Sequence, residues 1–206
     1  DGALPICREL GYASDLDLVF LYDDPDEQAP EAYARLAQRL NNWLSLRTGA
    51  GVLFDTDLRL RPDGASGLMV SSVEAFRKYQ SESAWTWEHQ ALSRARFCAG
   101  DASVGAAFEA ERRRVLVIRR DPRQLRADVL AMRKKLSEGH PNTSQLFDIK
   151  HDRGGMIDIE FIVQFVILAY SGEVPDLLAN DGNIALLDVA ARHGLIPRDD
   201  AERVRT

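Results

Sequence analysis

Gly11-Tyr12-Ala13-Ser14-Asp15-Leu16-Asp17-Leu18-Val19-Phe20-Leu21-Tyr22 is the stretch on which the fold turns. A turn-rich opening runs straight into an apolar run, so residues 16–22 read as a strand with two carboxylates at its mouth. Side chains alternate along a strand, which puts Asp15 and Asp17 on one face of the sheet. Two like charges that close repel, and burial raises the pKa of at least one. A divalent ion relieves the conflict, because Mg²⁺ takes hard carboxylate oxygens and shares its remaining positions with substrate phosphates. Gly11 has no Cβ, so backbone N–H groups there can approach a phosphate, with the Ser14 hydroxyl beside them. The plain alternative is a surface turn with two solvated aspartates.

A third carboxylate, about forty residues on, weighs against that alternative. Residues 52–61 alternate strictly, with Asp55, Asp57, Arg59 and Arg61 on one face and Phe54, Thr56, Leu58 and Leu60 on the other. A strand here, paired beside the first, would set Asp57 next to Asp15 and Asp17. Three carboxylates on adjoining strands are the layout for two-metal phosphoryl or nucleotidyl transfer. Asp15 and Asp17 would hold the ions, while Asp57 would share a metal and help take the proton from the attacking hydroxyl. Two roles stay open for Arg59 and Arg61: neutralising phosphate charge, or balancing the aspartates in a structural network.

Helical spacing accounts for most of the rest. Tyr33, Leu36, Ala37, Leu40, Trp43 and Leu44 predict a helix over 30–47, opened by Pro30 and stopped at Gly49, with Trp43 in the core. Ser71-Ser72-Val73-Glu74 reads as a capping box opening a helix that carries Phe76 and Tyr79. A helix over 84–96 would line Trp85, His89, Leu92 and Arg96 along one face, with Trp85 as core and His89 as a hydrogen-bonded packing residue. Further helices are expected over 103–119, from Asp121-Pro122 to a break at 139–144, over 157–170 and over 183–193. The predicted fold is therefore α+β, with a catalytic domain over 1–120 and an α-helical bundle over 121–206.

With 206 residues the chain can bury a real core. A formal net charge of -6 argues against a nucleic-acid backbone as main partner. No apolar run is long enough to cross a bilayer, so no membrane partner is expected. Cys7 and Cys98 form no close-spaced motif, and the four histidines show no metal-ligand spacing, which fits a reducing cytoplasm. The chain opens on Asp1-Gly2-Ala3 without a capped element and stops in what reads as the first turns of a helix. It is expected to be a piece of a longer polypeptide.

Gly11 to Phe20 resembles the G-Y-x-S-D-L-D-L-V-F motif of the glutamine synthetase adenylyltransferases, which belong to the polymerase-β-like nucleotidyltransferases. Asp57-Leu58-Arg59-Leu60-Arg61-Pro62 with Gly64 and Gly67 is similar to their D-x-R-L-R-P-x-G-x-x-G. Ala84-Trp85-Thr86-Trp87-Glu88-His89-Gln90-Ala91-Leu92 with Arg94-Ala95-Arg96 resembles their A-W-T-W-E-H-Q-A-L-x-R-A-R. Phe147-Asp148-Ile149-Lys150, Gly154-Gly155 and Asp158-Ile159-Glu160-Phe161 resemble a segment shared with the uridylyltransferases that modify the signal protein PII. One departure is that Pro5-Ile6-Cys7-Arg8 stand where the family usually has a Gly-Gly pair before the motif.

The resemblance implies an enzyme of two related halves, one removing AMP from glutamine synthetase by phosphorolysis and one adding it from ATP. The wording of the motifs is closer to the adding half. On that reading two Mg²⁺ are the cofactors and ATP is a substrate. Asp15, Asp17 and Asp57 form the metal and catalytic site, and Gly11, Ser14, Arg59 and Arg61 meet the nucleotide phosphates. The partners implied are glutamine synthetase, PII and the other half of the polypeptide. Asp148, Lys150, Asp158 and Glu160 have two readings. Either they form an accessory polar network at the active site, or Asp158 and Glu160 simply stabilise a helix start through its dipole. The removing half and a non-catalytic nucleotide- or PII-binding module remain as alternatives.

Overall fold

A computed structural model describes residues 15–52, 54–60, 67–179 and 181–205. These form short parallel strand pairs and α-helices, the α+β class expected. The chain falls into two compact units that do not follow chain order: described residues 15–84 and 97–111 make one, and 85–96 with 112–205 make the other.

In the first unit the predicted strand 16–22 is split between two neighbours. β1 (Leu16–Asp17) pairs in parallel with β3 (Thr56–Asp57), in the register Leu16 to Thr56 and Asp17 to Asp57. The N–H groups of Leu16 and Leu18 donate to the carbonyls of Asp55 and Asp57, at 2.8 Å each. The chain then changes partner: β2 (Phe20–Tyr22) pairs in parallel with β4 (Val70–Ser72). The strand expected over 52–61 contracts to β3. Asp57 Oδ1 accepts the N–H of Arg59 at 2.8 Å, and this side-chain turn takes the backbone out of the ladder. Alternation therefore fails beyond Leu58, where Arg59 and Leu60 lie in a turn.

α1 (Ala29–Leu44) starts beside Pro30, as expected, and buries Ala29 and Ala37 on the face that packs against β4. Tyr33 on this helix stacks on Tyr22, with ring centroids 5.1 Å apart. Trp43, expected in the core, is 66% exposed. Trp43 is the penultimate residue of α1 and lies beyond Ala37, the last buried residue of that helix. α2 (Val73–Glu82) follows β4 without a break. Its cap is Ser72, whose hydroxyl accepts the N–H of Ala75 at 3.1 Å, so the predicted capping box is displaced by one residue and Glu74 lies in the first turn. Phe76, fully buried, meets Phe108 of α4 (Ala102–Leu116).

The second unit is helical: α3 (Thr86–Arg94), the end of α4, α5 (Pro122–Gly139), α6 (Met156–Tyr170), a 3-10 turn (Pro175–Leu178), α7 (Asn183–Arg192) and α8 (Arg198–Arg205). Asp121 caps α5 by accepting the N–H of Arg123 at 2.9 Å, and Leu125 and Val129 are buried along the expected face. α6 packs on α3, α5 and α7, and Val163, Ile167 and Leu168 form its core side. Trp85, expected in the core, is 71% exposed. It is the extended residue before α3 and not part of its apolar face. Among the described residues no helix is long and apolar enough to cross a membrane.

Two arginines, Arg112 buried and Arg120 half-buried, tie the helices together. Arg112, 3% exposed, donates to the carbonyls of Leu92 and Ser93 at 2.9 Å and to that of Leu178 at 3.4 Å. Arg120 donates to the carbonyls of Val115, Ile118, Leu116 and Leu168 and to His89 Nδ1. Burial pulls its pKa down to about 10, so it stays charged at neutral pH.

Candidate active site

The parallel register of β1 and β3 sets Asp17 directly opposite Asp57, two residues after Asp15. Asp17 keeps an exposed edge, yet three influences push its carboxyl above the ordinary range: partial burial first, then the negative charges of Asp57 and of Asp15. Arg59 pulls in the opposite direction and does not prevail. Proximity of the three carboxylates is thus expressed as repulsion, the condition a bound cation would relieve.

The cation present at Asp57 is Arg59. Its Nε donates to both carboxylate oxygens, at 3.0 and 2.7 Å, and its Nη2 closes on Oδ2. Asp57 is largely covered, its side chain 15% exposed, whereas that of Arg59 is 79% exposed. Asp57 therefore turns towards Arg59, and among the described residues no three His, Cys, Asp or Glu side chains converge on a metal position. The backbone placement of Asp15, Asp17 and Asp57 and the raised Asp17 carboxyl suit a hard divalent ion. Sharing that ion would require Asp57 to loosen its hold on the exposed guanidinium. Gly11, Ser14 and Arg61 lie outside the described residues.

Of the four residues of the second cluster, Asp148 and Lys150 belong to the loop between α5 and α6, Asp158 to the first turn of α6, and Glu160 lies past that turn. Asp148 caps this loop, its carboxylate accepting the N–H groups of Lys150 and His151 and, at 2.9 Å, His151 Nδ1–H. The His151 ring and those amides hold its carboxyl below the usual range. Asp158 accepts Arg133 Nε–H at 2.5 Å and the Gly154 N–H at 2.6 Å. Burial opposes its ionisation, but the Gly154 amide and Arg133 outweigh that and hold its pKa low. Lys150 is exposed and Glu160 half-buried. Asp148 and Asp158 do not bond each other directly. They are linked through His151: Arg133, which holds Asp158, also donates to the His151 carbonyl at 2.9 Å, and the His151 ring meets Asp148. Neither Arg133 nor His151 was singled out from the sequence; for Arg133, a partner 25 positions away leaves no local periodicity.

The tryptophan-rich motif resolves into structural roles. Glu88 accepts the N–H of Trp85 at 2.9 Å, Thr86 donates to Asp128 at 2.9 Å, and Gln90 donates to Gln164 at 2.9 Å. His89 is half-buried and accepts from Arg120, the packing role expected of it.

Paired parallel strands carrying these aspartates, flanked by helices, are consistent with a nucleotidyltransferase-like domain. The family model for glutamate-ammonia ligase adenylyltransferase matches residues 7–111, just over half the chain, and that for PII-uridylyltransferase matches 124–206. A protein of Aromatoleum aromaticum called bifunctional glutamine synthetase adenylyltransferase/adenylyl-removing enzyme is 60% identical, over 95% of this chain and 21% of its own length. Proteins with the same name from Chromobacterium violaceum and Burkholderia mallei are 59% and 55% identical, each over 96% of this chain and 22% of their own length. The chain belongs to the glutamate-ammonia ligase adenylyltransferase family. It spans about a fifth of the length of the curated relatives it matches.

Proposed function

We propose that this chain is the adenylyl-adding part of its enzyme, moving AMP from ATP to a tyrosine of glutamine synthetase. The observation that carries this is the Asp17–Asp57 register, with the Asp17 carboxyl raised by its acidic neighbours. The tyrosine oxygen forms a bond to the α-phosphorus, the bond to the bridging oxygen breaks, and pyrophosphate leaves with its electron pair. Asp57 assists removal of the tyrosine proton. Asp15, Asp17 and Asp57 would hold two Mg²⁺, which stabilise the attacking and leaving oxygens of such an in-line displacement. Arg59 exchanges Asp57 for a phosphate oxygen, a move its exposure permits, and Gly11, Ser14 and Arg61 complete the phosphate contacts.

The functional division we propose is a catalytic domain over 1–120 and a helical bundle over 121–206, which the two family models support by meeting between residues 111 and 124. Asp148, Lys150, Asp158 and Glu160 act as an accessory network, in which Asp148 and Asp158 shape the loop that presents Lys150. PII and the rest of the polypeptide are the proposed regulatory partners, in the cytoplasm. The adenylyl-removing reading also stands, because the relatives carry both activities in their name. It would use the same aspartates on adenylylated tyrosine and phosphate.

The test supplies α-phosphate-labelled ATP, Mg²⁺ and unmodified glutamine synthetase, with an Asp15→Asn/Asp17→Asn protein as control. Label on glutamine synthetase that the control abolishes is expected. ADP released from pre-adenylylated glutamine synthetase by phosphate, without labelling in the forward assay, would assign the removing reaction instead.

A further inference from the structure

The loop between α5 and α6 has no regular structure, yet it is tied across at every level. Asn142 Nδ2 donates to the Leu146 carbonyl and to Asp152 Oδ2, both at 2.7 Å, and Asp152 Oδ2 also accepts the Asp148 N–H at 2.8 Å. The Met156 N–H closes the loop onto the Ile149 carbonyl at 2.8 Å. A Cβ at Gly155 would stand 2.5 Å from that carbonyl oxygen, so the closure needs a glycine. The His151 ring stacks on His140 at the end of α5, with centroids 4.8 Å apart.

This fixed scaffold turns apolar side chains outward. Leu146 is 79% exposed, Ile149 67%, Phe147 63% and Met156 52%. A loop of this length inside a compact unit is usually functional, and grouped exposed apolar residues mark interaction sites. The charges are sorted too. Asp148 and Asp152 point their carboxylates into the loop's own amides, whereas Lys150 and Arg153 lie exposed at its surface. The surface is thus apolar with a basic rim, in a chain whose net charge is -6.

We infer that this loop is a docking surface for another segment of the same polypeptide, one presenting an apolar patch edged by Asp or Glu. Two observations select that occupant. The relatives hold about four-fifths of their length outside the region matched here, so the polypeptide has ample chain to supply it. The loop also lies within the region that matches the PII-uridylyltransferase family model. A surface specific for glutamine synthetase has no reason to recur in a family named for a different protein substrate, and capture of PII, the protein that family is named for, is an opposing outcome of the test. This inference does not depend on which transfer reaction the chain performs.

The test places the photo-crosslinker p-benzoylphenylalanine at position 147, or at 149, in the full-length polypeptide, with position 126 on the exposed side of α5 as control. Neither site is buried, so the variants fold. Irradiation is expected to give an intramolecular cross-link, at unchanged chain mass, to a peptide outside the 206 residues described. It should be several times more abundant from 147 and 149 than from 126. A cross-link to added glutamine synthetase or to added PII, a cross-linked dimer, equal yield at 126, or no cross-link at all would each overturn the inference. No arm reads activity, so the outcome is separate from that of the labelling assay.

Discussion

Asp17 and Asp57 face each other as direct partners in a parallel ladder, and the second is gripped by Arg59 while the first carries its charge against its neighbours. One member of the pair is electrostatically satisfied and the other is not. That asymmetry separates what each residue does for stability from the role proposed for it in transfer.

The folded pKa of Asp17 lies above its unfolded value, so the folded state holds its proton more readily. Ionised Asp17 therefore opposes folding at neutral pH, and the opposition fades as pH falls through the folded pKa. Asp17→Asn is expected to raise Tm at pH 7 and to match the parent protein in acid, while abolishing label transfer. Thermal melts across pH check this, and a lower Tm for the variant at pH 7 would refute it.

Arg59→Ala removes the cation that occupies Asp57. Mg²⁺ binding to the nucleotide-free protein should tighten by about two- to fivefold, the scale of a largely exposed ion pair. Transfer should slow at the same time, because the phosphate contact proposed for Arg59 is lost. Calorimetric titration with Mg²⁺ beside the labelling assay separates the two effects, and unchanged Mg²⁺ affinity would show that Arg59 does not compete.

Arg133 joins Asp158 to the His151 carbonyl, and both ion-pair partners are largely covered. Arg133→Ala should cost about 2 kcal/mol of stability at neutral pH. The low pKa of Asp158 makes that contribution present above its unfolded pKa and lost as pH falls through the folded one. Denaturant titrations at pH 7 and in acid should show the two proteins converging.

Trp43 and Trp85 are exposed, so Trp43→Ala should change stability by no more than about 0.5 kcal/mol. A buried tryptophan would cost about 3 kcal/mol or more on the same change. Acrylamide quenching of the parent protein should reach most of its tryptophan emission.

These tryptophans mark where the sequence misleads. Helical periodicity identified α1, α5, α6 and α7 to within a few residues, because cap residues such as Asp121 and stops such as Gly139 are local signals. How far along α1 the packing reaches depends on what the helix meets, and burial ends at Ala37, six residues before Trp43. The aspartates were legible from their spacing. The turn that removes Arg59 from the strand was not, because it is made by the Asp57 side chain folding onto the backbone after it. Arg112, Arg120 and Arg133 were invisible for a related reason: each acts on carbonyls or carboxylates distant in sequence.

Ser72 ends β4, pairs with Tyr22 and caps α2 in the same residue. No linker lies between strand and helix to absorb a shift, and Tyr22 is only a few residues of backbone from Asp17. A push on α2 along its axis must either break the Tyr22–Ser72 pairing or travel down the chain to the carboxylates. Between the cap of α2 and Asp17 there thus stand one strand pairing and residues 18–21 of the chain, with no loose connection at the helix end.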